Sequence, residues 1–311
     1  MHDPGLRDRN GRRNRGRGSF RVLRNSAAIV LIAGAAFLTA GLVYGDPRFV
    51  GLFEFDGGPD ARPPVGAADQ PTGSPADRQA GASAEPAHLA VPTPGFEEQD
   101  RPIGRPRKPT SASSSYKFLA TNADGGPVGY SPCRPLHYVV NSALAPRGGG
   151  QLVEDAIKTV SEATGIKFIN DGPTTELPSQ SRAPYQKEAY GDRWAPLLIA
   201  WVTPEQAPQL KGPVIGTGGS THFSFGDGPK SFVTGSLELD APQIAGSLDR
   251  GDSSAYATAV ILHELGHVMG LEHVDDPTQL MYPEIGAPDG LAAGDLNGLY
   301  ELGTAPCRTD L

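Results

Sequence analysis

Between positions 263 and 273 the chain reads His-Glu-Leu-Gly-His-Val-Met-Gly-Leu-Glu-His. No other stretch restricts the fold as tightly. Two histidines four apart share one face of a helix. A third reaches them only if the helix stops and the chain turns back. Gly270 is placed to make that turn, because glycine tolerates backbone angles that other residues avoid. The spacing predicts a helix from about Ser253 to Met269, capped by Asp252 or Ser253 and stopped at Gly270. At about 100° per residue, His267 lies about 40° from His263, while Ala257, Ile261, Leu265 and Val268 fall about 120–200° away. One face carries imidazoles and the opposed face carries core.

Three neutral imidazoles suit zinc and leave a fourth position open. His263, His267 and His273 are therefore the candidate ligands of one catalytic zinc. Such an ion acidifies water and polarises a carbonyl. Glu264, at about 100° on the same wheel, flanks the ligands without joining them and is the candidate general base. Together these parts make a hydrolytic site. Three of the seven histidines in the chain stand in this one run.

The run resembles the metzincin signature, and its sequel resembles the matrixins in particular. Leu280-Met-Tyr-Pro283 looks like their Met-turn, and Leu291-Ala-Ala-Gly-Asp-Leu-Asn-Gly-Leu-Tyr300 looks like their final helix with its acidic residue. Ser131-Pro-Cys-Arg-Pro-Leu-His-Tyr138 is similar to exported bacterial, especially actinobacterial, matrixin-like proteins. The resemblance implies an α+β domain with a mixed, roughly five-stranded twisted sheet, an active-site helix, a C-terminal helix and zinc at the cleft floor. It implies a zinc-dependent endopeptidase that binds an extended peptide along the sheet edge, with Met281 packed beneath the metal. The pocket wall that sets side-chain preference is expected at Tyr282 to Ala287.

Some family features are missing. Animal matrixins cap their zinc with a propeptide cysteine, and none precedes Cys133 here. They also hold a structural zinc with His and Asp. Within the domain only His137 and His222 remain for that, so both are read as ordinary strand or surface residues. Tyr282 follows Met281 directly and is read as structural. Calcium is conceivable at loops such as Gly226–Gly228, although no calcium-loop pattern is present.

The rest of the chain places this domain. Residues 1–26 carry eight Arg against two Asp, and the remainder carries 19 basic against 33 acidic side chains. An acidic body argues against nucleic-acid binding. Residues 27–45 begin with an uncharged, largely apolar run of 18 residues, about 27 Å of helix and close to the thickness of a bilayer core. Positive charge ahead of such a span keeps the N-terminus inside and exports the chain beyond the span. The first reading is an uncleaved signal anchor, the second a cleaved signal peptide. Either puts the body outside the cytoplasm. Residues 46–115 hold 12 prolines and eight glycines with almost no apolar periodicity, and read as a disordered tether. Within it, Arg101, Arg105, Arg107 and Lys108 alternate with prolines, as a spacer or a processing site.

The catalytic domain is expected over 116–311, as a monomer. Outside the cytoplasm Cys133 and Cys307 tend to pair, although two free thiols are the alternative. Strands are expected at Leu136–Val140, Ile166–Ile169, Leu197–Val202, Val214–Phe225 and Phe232–Leu239, with a helix over Gln151–Thr164. Leu197–Val202 is apolar throughout and so is expected at the sheet centre. Two other functions fit the same residues: a catalytically silent, zinc-stabilised binding protein on the cell surface, and a hydrolase of non-peptide amides. Glu264 argues against the first, because a silent copy needs no base.

Overall fold

The computed structural model describes residues 90–249, 254–285 and 288–311. The basic head, the apolar span at 27–45, most of the tether, the proposed cap at 252–253 and part of the pocket wall lie outside those residues. Among the described residues, no helix is long and apolar enough to cross a membrane.

The elements in chain order are β1 (Lys117–Phe118), β2 (Leu136–Asn141), α1 (Gly149–Thr164), β3 (Phe168–Pro173), α2 (Lys187–Tyr190), β4 (Leu197–Val202), β5 (Gly216–Phe223), β6 (Ser231–Asp240), α3 (Ala241–Asp249), α4 (Ser254–Met269), β7 (Leu271–Glu272) and α5 (Ala293–Leu302). A five-stranded sheet runs in the order β3-β2-β4-β6-β5. β2, β3, β4 and β6 are parallel, and β5 joins the edge antiparallel to β6. The mixed α+β architecture expected from the sequence is the one observed.

β4 is buried at every position and stands third of the five strands. Its continuous apolar run has core on both faces, as a central parallel strand requires. On one face Leu197, Ile199 and Trp201 join α1 and α4 in the main core. On the other, Leu198, Ala200 and Val202 pack under Ala207, Leu210 and Val214 from the loop before β5.

α1 buries Val153, Ala156, Ile157, Val160 and Ala163, a helical stripe packed against α4 and α5. Gly165 stops it at φ 70°, a left-handed angle suited to glycine. The helix α3 and the short β1–β7 ladder are additions to the expected elements. The ladder sets Lys117 opposite Glu272 and Phe118 opposite Leu271, so the segment that follows residues 90–115 pairs with the strand leading to His273.

The expected boundary at Tyr116 is corrected. Residues 90–115 lie on the domain as an extended strap. Gly95 donates its N–H to Leu311, Gln99 to Cys133, Ile103 to Pro132 and Arg107 to Glu162, at 2.7–3.0 Å. Gly104 lies so close to Gly165 that a Cβ would stand 2.2 Å from its carbonyl oxygen. Apolar periodicity could not find this segment, because an extended chain satisfies its backbone groups on its host without an apolar face of its own. Cys133 and Cys307 form a disulfide.

Candidate metal centre

α4 is buried at every position from Ala259 to Met269, and both of its histidines face inward. Residues 263 and 267 reach one point in space because they are one turn apart. Gly270, at φ 118°, reverses the chain after Met269. β7 then carries it back, and His273 meets the other two.

The Nε2 atoms of His263 and His273 are 3.2 Å apart, as are those of His267 and His273. Tetrahedral ligands at about 2.0–2.1 Å from a zinc ion stand about 3.3 Å from one another. The opposite nitrogens fix the tautomer. His263 Nδ1 is 2.7 Å from the carbonyl oxygen of Leu280, and His267 Nδ1 is 2.8 Å from that of Leu271. A carbonyl only accepts, so each Nδ1 carries the proton and each Nε2 presents a lone pair. Burial holds His263 neutral, its pKa lowered to about 4, and lowers His267 well below the usual range. His273 is more open, and burial lowers it too. The donor set is three neutral imidazoles turned toward one point, which fits zinc.

Met281, 1% exposed, packs against Gly266 between the two helical histidines. Its neighbours anchor it. Asp295 on α5 accepts the N–H groups of Leu280 at 2.8 Å, Met281 at 3.2 Å and Ala292 at 2.8 Å. Val274 donates its N–H to the Met281 carbonyl at 3.0 Å. The 280–281 turn is thereby tied to α5, to the stretch after β7 and to His263.

Glu264 is fully buried, and neither carboxylate oxygen completes a hydrogen bond among the described residues. Burial pushes its pKa up to about 8, and the nearby Gly218 N–H offsets only part of that effect. Above it runs the edge strand β5. A Cβ on Gly216 would stand 2.8 Å from Glu264 Cγ, and one on Gly218 would stand 2.1 Å from the Glu264 carbonyl oxygen. The two glycines share one face of β5 and let the strand backbone rest on the helix. Ser220 continues the contact by donating its hydroxyl to the Val268 carbonyl at 2.7 Å.

Sequence reasoning misses these glycines. Their signal is the glycine cluster Gly216-Thr-Gly-Gly219 inside a strand, which marks a close backbone approach. It also misses the tie from Asp295 to the Met281 turn. The two remaining histidines of the domain lie apart from the triad. His137 Nδ1 sits 2.8 Å from Asp171 and 2.7 Å from Arg193, and His222 is buried within β5. Gly226–Gly228 forms a hairpin turn, and the clusters of three or more metal-ligating side chains among the described residues do not include it.

The matrixin family model matches residues 200–302, from the end of β4 through α5. The chain is similar to macrophage metalloelastase of Oryctolagus cuniculus, 35% identical over 95 residues, or 29% of this chain and 19% of the relative. It is also similar to matrilysin of Felis catus, 48% identical over 48 residues, or 14% of this chain and 18% of the relative. Matrix metalloproteinase-15 of Homo sapiens is 33% identical over 98 residues, 30% of this chain and 14% of the relative. The chain spans less than a fifth of the length of each of these relatives. From the end of β4 through α5, this chain carries a matrixin-like metzincin stretch.

Proposed function

We propose that this chain is a zinc-dependent endopeptidase acting outside the cytoplasm. One observation carries the reading: three Nε2 atoms converge at a tetrahedral ligand spacing while backbone carbonyls hold two of the opposite nitrogens. His263, His267 and His273 would hold the zinc. When bound, it supplies Lewis acidity toward a carbonyl and lowers the pKa of water toward about 7.

This chain's own residues do the rest. Glu264 takes a proton from the attacking water and returns it to the leaving amine. A cation beside it favours the ionised carboxylate that burial alone opposes. The edge strand β5 offers unpaired backbone groups for an extended peptide, which makes a protein or peptide the substrate class. Met281 and Asp295 keep the floor of the site in place. The sequence at 1–45 supports display on the outer face of a membrane, or secretion where the apolar segment is removed.

The test uses the purified full chain: zinc per chain, and cleavage of a mixed peptide library with and without chelator. One zinc with chelator-sensitive internal cleavage is the expected result. One zinc with no cleavage of any peptide would transfer the scaffold to the silent binding protein.

A further inference from the structure

On the side of the sheet away from the histidines, β6 buries a second carboxylate. Glu238 is 2% exposed, and no cation among the described residues offsets it. A charged group is costly to bury without partners, and the partners here are hydroxyl and amide donors. Thr217 donates its hydroxyl to Glu238 Oε2 at 2.9 Å, and Gln209 donates its side-chain amide to the same oxygen. Ser236 lies at 3.4 Å from the other oxygen.

The placement of Thr217 gives this cluster its meaning. It is the cross-strand partner of Glu238 in the β5–β6 ladder. Its chain neighbours, Gly216 and Gly218, point to the opposite face, where they rest on Glu264. One residue of β5 is therefore gripped from behind by Glu238 while the residues beside it bear on the catalytic helix. Gln209 brings the covering loop into the same grip, through the helical turn Pro208–Leu210.

We propose that Glu238 is a positioning residue which, through the Thr217 hydroxyl, presses the edge strand onto α4 and fixes the place of Glu264. This rests on the endopeptidase reading above for its catalytic consequence, but not for its structural one. An edge strand has a neighbour on one side only, so a side-chain grip supplies what a second ladder would otherwise give.

The test compares T217V, E238L and E238Q with the full wild-type chain. Thr217→Val keeps the shape and removes the donor. In T217V and E238L, amide exchange across residues 216–220 and 262–266 should speed by tenfold or more. Zinc per chain should stay unchanged, kcat should fall at least tenfold, and KM should stay within twofold. E238Q keeps an acceptor for Thr217 and should remain within threefold of wild type in both readouts. Wild-type exchange and kcat in T217V would overturn the proposal, as would a rise in KM with kcat unchanged. Should E238L fail to fold, T217V decides alone. Should the wild type cleave no peptide, the endopeptidase reading has failed, and the exchange comparison still decides whether Glu238 positions the strand.

Discussion

Met281 lies directly against the bare backbone of Gly266: a Cβ at that glycine would stand 2.5 Å from the Met281 sulfur. The glycine between the two helical histidines is thus where the floor of the site meets α4. Gly266→Ala should cost about 1–3 kcal/mol through overpacking, despite the better helix propensity of alanine. Denaturant melts of the zinc-free protein measure this. Stability equal to or above wild type would contradict the contact. Met281→Leu, close in volume, should cost less than about 1.5 kcal/mol.

Glu264 predicts a trade between activity and stability. Glu264→Ala should retain zinc and lose about 10²–10⁴-fold in turnover. The same variant should melt higher than wild type when both are metal-free, because it deletes a buried carboxyl whose oxygens complete no hydrogen bond. Substantial residual peptidase activity would remove the base role, and a lower melting temperature would contradict the burial argument. His267→Ala, by contrast, should lose the metal.

Much of this site is legible in the sequence, and the reason is local. The His263–His273 run fixes helix, stop and return through spacing alone. β4 announces its central position because a strand with core on both faces has no polar alternation. Contact between segments far apart in sequence stays hidden. Nothing in Arg101–Pro109 says that its backbone will bond to Pro132 and Glu162. Nothing in Glu238 says that its partner is Thr217, since that pairing depends on β-sheet register. α3 escapes because it is short and holds Pro242 and Gly246, although Ala241, Ile244 and Leu248 stand at helical spacing on the core.

His222 adds to the acid limit that burial of His263, His267 and His273 also imposes on the metal-free fold. Burial lowers its pKa from 6.5 to about 4, with Lys230 adding to the effect. The unfolded chain therefore binds a proton that the folded chain refuses between those values. The stability from its neutral form is complete above about pH 6.5 and is lost as pH falls toward 4. The shift amounts to on the order of 3 kcal/mol. Melts of the metal-free protein from about pH 7.5 to 4 should show the loss. His222→Gln should flatten that part of the profile, and an unchanged slope would contradict the assignment.

Reducing the Cys133–Cys307 bridge should destabilise the domain by as much as about 5 kcal/mol, since it closes a loop with a sequence separation of 174. Unfolding midpoints with and without reductant measure this, and equal midpoints would show that the bridge adds nothing.

That bridge also divides the molecule by how it bears a mechanical load. Everything from Cys133 to Cys307, including the three converging histidines, lies inside one covalent ring. The strap and β1 lie outside it, on the side of any N-terminal anchor, yet β1 holds the strand that leads into His273. A pull from that end is carried first by the hydrogen bonds of the strap and only afterwards by the ring. The contact nearest the third histidine would let go while the sheet and α4 were still whole.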